Sequence, residues 1–140
     1  MKHNKNLKLK IINYLMKNGK KSVSKKILKK TMRIFYHNNK KSFKSIYSVS
    51  LKNALIPLAN ITIKKRKRKI FVPFLINNEK RVLLAVKKIS SFNSKSIKKS
   101  ICLYNEIIHL ANNKGNLSIN NKETNKISFI NKNFAHFRWF

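Results

Sequence analysis

The sequence predicts a mainly α-helical single domain over residues 1–140, with six helices and a basic β-hairpin arm inserted between helices three and four. Three observations predict this fold class. Apolar residues recur every three or four positions in six segments, which is the spacing of amphipathic helices. The spacing changes to strict alternation over about residues 60–76, and six consecutive cations lie inside that stretch. The chain has 140 residues, of which 42% are hydrophobic, and this is enough for one modest core.

The first three helices are bounded by residues that cap or break helices. Gly19 is placed to end the first, because glycine readily adopts the left-handed conformation at a helix C-terminus. Ser22 and Ser42 are placed to cap the second and third. Pro57 ends the third helix, because the residue before a proline avoids helical angles. The three apolar faces contain Leu7, Ile11, Ile12, Leu15 and Met16, then Val23, Ile27, Thr31, Ile34 and Phe35, and then Phe43, Ile46, Tyr47, Leu51 and Leu55.

The stretch that follows predicts two strands joined through the cation run. In the first half, Ile61 and Ile63 alternate with polar residues. In the second half, Ile70 and Val72 alternate with Lys69 and Phe71. β-Branched residues with a period of two favour strands. Proline cannot donate a ladder hydrogen bond, so Pro73 is expected where the second strand ends or runs at an edge.

Helical spacing returns after the hairpin. Ser94 is placed to cap the fifth helix, and Gly115 is placed to end it. A last amphipathic segment supplies the sixth helix, and we expect Phe134 to lie in the core. The apolar positions of the three helices are Val82, Leu83, Val86 and Ile89, then Ile97, Ile101, Tyr104, Ile108 and Ala111, and finally Ile127, Ile130 and Phe134.

The charge composition points to a polyanionic partner and argues against an enzyme. Lysine and arginine total 34 residues against three acidic residues, for a formal net charge of +31. A globule cannot neutralise this charge internally, whereas nucleic acid carries phosphates at a matching density. The acidic residues Glu79, Glu106 and Glu123 are too scattered to predict an acid/base pair or a metal site. Cys102 lies in an apolar run and is interpreted as a core residue, with a catalytic thiol as the alternative. Because the four histidines lack metal-ligand spacing and the chain has only two glycines, no metal or cofactor is expected.

The same composition leaves two further interpretations open. A basic amphipathic protein of a membrane surface also carries lysine-rich helices, although such a protein needs no hairpin. A general nucleic-acid-binding protein is the other alternative. No apolar run reaches the roughly 18 residues that span a bilayer. Because helical spacing begins by Leu7, we expect no removable transit peptide. We therefore expect that, if the protein works in an organelle, its gene lies there.

Several short strings occur in an order that matches a known family. They are Leu15-Met16-Lys17-Asn18-Gly19-Lys20-Lys21, then Asn53 to Pro57 followed by the hairpin and Val72-Pro73, then Arg81 with Ala85 and Lys87, then Ala111-Asn112-Asn113-Lys114-Gly115, and finally Asn131-Lys132-Asn133-Phe134-Ala135-His136-Phe137-Arg138-Trp139. Together they resemble the ribosomal protein seven family of the small subunit. Phe137, with a residue after Trp139, is more similar to its mitochondrial branch. The chain departs from the family in its short segment before Leu7 and in the absence of a Gly-Gly pair from the hairpin.

The resemblance implies a structural role in the ribosome. Members of the family bind the 3′ major domain of small-subunit ribosomal RNA and organise assembly of the head of the subunit. Their hairpin reaches toward the exit-site tRNA and the messenger RNA path. The expected partners are therefore ribosomal RNA, neighbouring head proteins and, through the hairpin, tRNA and mRNA, with no membrane and no homo-oligomer. The expected location is the mitochondrial small ribosomal subunit, and a plastid-type organelle is the alternative.

The candidate RNA-binding residues are cations and C-terminal aromatic groups, and each has a plainer interpretation. The run from Lys64 to Lys69 is also typical of a solvated face or a nuclear-import signal. Lys20 and Lys21 are equally well interpreted as ordinary surface lysines, and Trp139 as a residue packed on the domain. The full candidate set is Lys20, Lys21, Lys64, Lys65, Arg66, Lys67, Arg68, Lys69, Arg81, Lys87, Lys114, Lys122, Lys126, Lys132, His136, Arg138 and Trp139.

Overall fold

The structure, a computed structural model, describes residues 3–38, 42–65, 68–91 and 98–139. Within these ranges the side chains of residues 3–7, Lys65, Arg138 and Trp139 are not described. The elements, in chain order, are α1 (His3–Leu15), α2 (Lys21–Asn38), α3 (Phe43–Ala54), β1 (Leu58–Lys65), β2 (Arg68–Leu75), α4 (Asn78–Ser91), α5 (Lys99–Ala111), α6 (Asn116–Ile130) and a 3₁₀ helix (Lys132–Trp139). The predicted fold class is confirmed: the chain is mainly helical, with one antiparallel hairpin between the third and fourth helices.

The core is an apolar cluster to which α1 through α5 all contribute. Phe35 of α2 is its largest fully buried side chain, with 1% of its surface exposed. The Phe35 ring meets Phe43 edge-on at a centroid distance of 5.1 Å and Tyr104 at 4.7 Å. Such edge-to-face pairs add to the free energy already gained by burying the rings. The cluster therefore joins α2, α3 and α5 and fixes the platform from which the hairpin extends.

The helix boundaries confirm one predicted cap and correct another. Ser42 caps α3, and its hydroxyl accepts a hydrogen bond from the Ser45 N–H at 3.4 Å. The prediction for Ser22 is wrong, because α2 begins at Lys21 and Ser22 lies inside its first turn. The turn before it contains Asn18 and Gly19 in the left-handed region, with φ of 50° and 70°. These two residues reverse the chain, so α2 starts without a capping serine. Ser94 and Ile97 lie outside the described residues.

The hairpin begins earlier than the sequence predicted. Leu55 caps the C-terminus of α3 with an extended backbone. Pro57 follows, and β1 starts at Leu58. The ladder pairs Leu58 with Leu75 at the base and Lys65 with Arg68 at the tip. The Ile76 N–H donates to the Pro57 carbonyl oxygen at 3.1 Å and closes the base. Pro73 lies within β2 rather than at its end, and because the sheet has two strands, it runs at an edge as the second form of the prediction stated.

The prediction of an apolar buried face on the last helix is wrong. Ile127 and Ile130 are 37% and 75% exposed, whereas Ser118, Asn121 and Ser128 are buried. The polar side of α6 is buried because it packs against the hairpin base and the end of α3, whose polar groups need hydrogen-bond partners. The Asn121 amide donates to the Ala54 carbonyl oxygen at 3.4 Å, and the Ser128 hydroxyl donates to Asn60 Oδ1 at 2.8 Å.

Phe134 lies beyond the end of α6, in the 3₁₀ helix, rather than on a continuous helical face. It is half-buried and stacks on Phe137 at a centroid distance of 5.8 Å. This segment packs along β2 rather than into the main cluster. The expected core position of Phe134 is therefore corrected to a satellite contact beside the hairpin.

Replacing Phe35 with alanine should lower the free energy of unfolding by about 3–5 kcal/mol, since it leaves a cavity beneath Phe43 and Tyr104. Chemical denaturation at moderate ionic strength measures the change. The adjacent Tyr36→Ala is the matched control, because Tyr36 is 81% exposed. A similar loss in both variants would contradict the placement of the core.

Candidate nucleic-acid interface

The tip of the hairpin places cations directly opposite one another. Lys64 pairs with Lys69, and Lys65 pairs with Arg68, in the antiparallel register. Opposed side chains in such a ladder stand about 4.5–5.5 Å apart at Cβ, and like charges at that separation destabilise the pair. Lys64, Arg68 and Lys69 are exposed. Arg66 and Lys67 lie outside the described residues. Two rungs of the ladder therefore pair cation with cation, and the ladder gains stability when an anion binds there.

The body of the protein holds the hairpin by its base through hydrogen bonds to α6. Asn60 of β1 carries both contacts: its amide nitrogen donates to the Thr124 carbonyl oxygen at 3.3 Å, and its Oδ1 accepts from the Ser128 hydroxyl at 2.8 Å. Asn60 pairs with the buried Pro73, and the 3₁₀ helix packs against β2. These contacts fix the base of the arm against the body of the protein.

One aromatic residue on the arm was not singled out from the sequence. Phe71 pairs with Thr62 on the first exposed rung of its face beyond Asn60–Pro73, and both residues are exposed. Alternation along a strand puts Phe71 on the same face as Lys69, and puts Thr62 on the same face as Lys64. The signal was present in the sequence, because the alternation that defines the strand assigns Phe71 to the lysine side.

A cavity of about 280 Å³ lies between the hairpin base, α4 and α6, and Arg81 and Lys88 are its cations. Arg81 Nη1 donates to Asn78 Oδ1 at 3.0 Å, while its buried Nε has no hydrogen-bond acceptor among the described residues. Lys88 Nζ donates to Asn121 Oδ1 at 3.3 Å, and burial lowers the pKa of Lys88 from its ordinary value. No carboxylate of the described residues lines the cavity. Arg81, a residue predicted to bind RNA, thus lies at the base of the hairpin, where Lys88 joins it. Lys87, the other predicted residue of α4, is exposed.

A second cationic cluster forms where the α1–α2 turn meets the start of α5. Lys17, Lys20 and Lys99 line a hollow of about 190 Å³. The pKa of Lys99 is lowered, first by burial and then by repulsion from the charge on Lys17. The sequence predicted Lys20 but not its two neighbours, because Lys99 reaches the turn only through the fold. Lys21, also predicted, is exposed in the first turn of α2.

The remaining predicted cations are distributed over the C-terminal third of the chain. Lys114 is exposed in the turn between α5 and α6, and Lys122 and Lys126 are exposed on successive turns of α6. Lys132 Nζ lies 5.2 Å from the centroid of the Phe129 ring, within range of a cation–π contact. His136 is exposed, with its ring 4.3 Å from that of Phe137. The side chains of Arg138 and Trp139 lie outside the described part of the chain.

The carboxylates are poorly placed for catalysis. Glu106 is buried, and its Oε1 has no hydrogen-bond partner among the described residues. Burial raises the pKa of Glu106, and the charge of His109 lowers it by a smaller amount. Glu79 and Glu123 are exposed on different helices. In the described ranges, no three His, Cys, Asp or Glu side chains come together as metal ligands. No described helix has the length and apolar character required to cross a bilayer.

Comparison with known proteins connects this arrangement to a family. The family model "Ribosomal protein S7p/S5e" matches residues 1–132. The small ribosomal subunit protein uS7 of Desulfatibacillum aliphaticivorans is 32% identical over 142 residues, which cover 99% of this chain and 90% of the relative. The uS7 protein of Mycoplasma mobile is 29% identical, with 93% of this chain and 85% of the relative covered. The uS7c protein of Cyanophora paradoxa is 25% identical, with 98% and 89% covered.

Lys99→Gln should raise the melting temperature of the RNA-free protein at neutral pH. The folded chain lowers the pKa of Lys99, so the unfolded chain binds that proton more tightly. The charged lysine therefore destabilises the fold at neutral pH. In the wild type, the contribution of Lys99 to stability rises with pH between its lowered pKa in the folded chain and its ordinary pKa of 10.5. The variant should lose that rise. Thermal melts across this pH range measure both effects.

Lys98→Gln is the matched control for this variant. Lys98 occupies the N-cap position of the same helix and is exposed, so both substitutions relieve the same unfavourable interaction with the helix dipole. Only Lys99→Gln also removes the partly buried charge that Lys17 repels. Equal increases in melting temperature in the two variants would show that the position of Lys99 in the hollow does not affect stability. RNA affinity should fall more in Lys99→Gln than in Lys98→Gln if the cluster binds phosphate.

Proposed function

This chain belongs to the ribosomal protein S7p/S5e family, and on that premise we propose that it is a structural protein of the small ribosomal subunit that binds ribosomal RNA through its hairpin and the cationic surfaces beside it. The proposal assigns no catalytic step to the chain. Its mechanism is electrostatic and architectural: lysines and arginines replace the counterions of the RNA, and the rigid domain then holds the bound segments in place. The whole chain acts as one RNA-binding unit.

The observation that carries the proposal is the pair of opposed cation rungs on a fixed arm. Lys64 opposite Lys69 and Lys65 opposite Arg68 leave the tip with a local excess of positive charge. A protein with 34 cations and three acidic residues cannot neutralise that excess within itself. Phosphates along an RNA backbone supply the missing charge at close spacing. Because phosphate contacts position a protein without reading sequence, we propose that RNA shape and 2′-hydroxyls provide the recognition.

The finer assignment within the ribosome rests on the resemblance of the motifs. We propose that the RNA is the 3′ major domain of the small-subunit ribosomal RNA, and that the chain organises assembly of the head with neighbouring proteins. The hairpin is then directed toward the exit-site tRNA and the messenger RNA path. Arg81 and Lys88 at the hairpin base, and Lys17, Lys20 and Lys99 at the α1–α2 turn, are proposed as separate phosphate contacts. The protein acts as one copy rather than as a homo-oligomer.

The compartment that we propose is the mitochondrion. It is supported by the C-terminal residues Phe137 to Phe140, which resemble the mitochondrial branch, and by a composition rich in lysine, asparagine and isoleucine, which AT-rich codons specify. A plastid-type organelle is the alternative location. Localisation of a tagged copy separates the two.

The salt dependence of RNA binding tests the role of the tip. The double variant Lys64→Gln, Lys69→Gln should lower the slope of log affinity against log salt by about 1.4 to 1.8, as expected for the loss of two phosphate contacts. Lys29→Gln, Lys30→Gln on the exposed side of α2 removes the same charge and is the control. Titration of a small-subunit RNA fragment at several salt concentrations gives both slopes. Equal slopes in the two double variants would contradict the proposed role of the hairpin.

Sedimentation of ribosomal particles tests the function as a whole. A tagged copy should migrate with the small subunit at low and high magnesium and remain bound through a moderate salt wash, because many phosphate contacts act together. Comigration with lipid vesicles in competition with RNA would support the membrane-surface alternative instead. Migration as free protein would overturn the ribosomal assignment, whatever the behaviour of the hairpin variants.

A further inference from the structure

The hairpin has an outer face on which one exposed aromatic ring lies among cations. Phe71 is 41% exposed, and its cross-strand partner Thr62 is also exposed. The next rung of this face toward the tip is Lys64–Lys69, whose side chains project on the same side because residues two apart along a strand share a face. Residues 58–75 contain no aspartate or glutamate. This face therefore combines a flat apolar ring with positive charge that no carboxylate of the hairpin neutralises.

The exposure of Phe71 does not mean that the hairpin has no buried face. Val72, its neighbour on the opposite face, is 1% exposed, and Ile63 and Ile70 on that opposite face are partly buried. On the face of Phe71, the rung nearer the body is covered, since Pro73 is buried and Asn60 is hydrogen-bonded to α6. Phe71 thus lies on the first rung of this face after the body ends, where a strand of RNA that follows the arm would reach it.

We propose that Phe71 is a stacking platform for an unpaired RNA base, and that Lys64 and Lys69 hold the backbone phosphates on either side of that base. A nucleotide matches this surface because its aromatic base can stack on the ring while its phosphate, a short distance away, carries a negative charge. The rung spacing, about 6–7 Å along the strand, lies within the reach of flexible lysine side chains. An apolar protein segment would satisfy the ring but would leave both ammonium groups without a counter-charge.

The inference rests on the proposed RNA binding and deepens it, because it adds a contact that depends on single-stranded structure. Stacking on an aromatic ring tolerates any base, since each has a π-face, and it requires that the base be free of its own helix. The arm is then more than a set of phosphate contacts. It selects an unpaired nucleotide within folded RNA, at the point where the hairpin leaves the body of the protein.

Phe71→Ala tests the inference on the full chain. The probes are a short single-stranded RNA oligonucleotide and a fully paired RNA duplex of the same length, each titrated at several salt concentrations. Affinity for the single strand should fall about 5- to 150-fold, the effect of losing one base–aromatic stack. The salt slope should stay unchanged, because no charge is removed, and duplex binding should change by less than about 2-fold. Phe71→Trp should retain or increase the single-strand affinity.

Two controls separate stacking on the ring from a general loss of apolar surface. Ile61→Ala removes an apolar side chain that is 47% exposed on the opposite face of the same ladder, and it should change binding by less than about 2-fold. Phe71→Leu keeps an apolar side chain but removes the ring, and it should resemble Phe71→Ala. If Phe71→Leu binds like the wild type, or if Phe71→Ala loses nothing, the stacking inference is wrong while RNA binding stands. If the wild-type chain binds neither probe, the proposed function itself fails.

Discussion

Repulsion among its own cations is the constraint on which the rest of this structure depends. The chain carries 34 lysines and arginines against three glutamates, and one of those glutamates, Glu106, is buried. Several cations also lie where burial or a neighbour disfavours their charge: Lys88 beside the hairpin base, Lys99 near Lys17, and the paired cations at the hairpin tip. A nearby anion would favour the charged form at each of these sites. A polyanion that contacted several of them would therefore stabilise the folded chain through the same contacts.

The fold meets this constraint by separating its apolar core from its charged surfaces. The cluster around Phe35 joins α1 through α5, and it needs no charged residue. The hairpin is attached by hydrogen bonds between Asn60 and α6 and by packing of the 3₁₀ helix along β2. These bonds are directional, so they set the angle of the arm as well as its position. The core thus supplies stability, and the polar contact between α6 and β1 helps to orient the hairpin, the proposed RNA-binding arm.

Lysine-rich surfaces alone bind any nucleic acid, and their affinity decreases steeply as salt rises. The hairpin places some of these charges at defined positions along one arm. Cations occupy its tip, Arg81 and Lys88 lie at its base, and Phe71 is exposed between them. In the proposed interface, charge sets how tightly the RNA is held, while the fixed arm and its exposed ring set which part of the RNA fits. Membership in a ribosomal protein family agrees with such a division between affinity and positioning.

The sequence by itself determined the helices, the hairpin and the excess of charge, because each depends on residues close together in the chain. Ser42 caps its helix, and Lys64 pairs with Lys69 near the hairpin tip, by local rules alone. Only the tertiary structure decided which side of α6 is buried, since the partners of Asn121 and Ser128 are 67 and 68 residues away. The same holds for Lys99, whose neighbour Lys17 lies in a distant part of the chain. Periodicity reports which residues share a face, whereas burial of that face depends on the donors, acceptors and charges that distant segments bring against it.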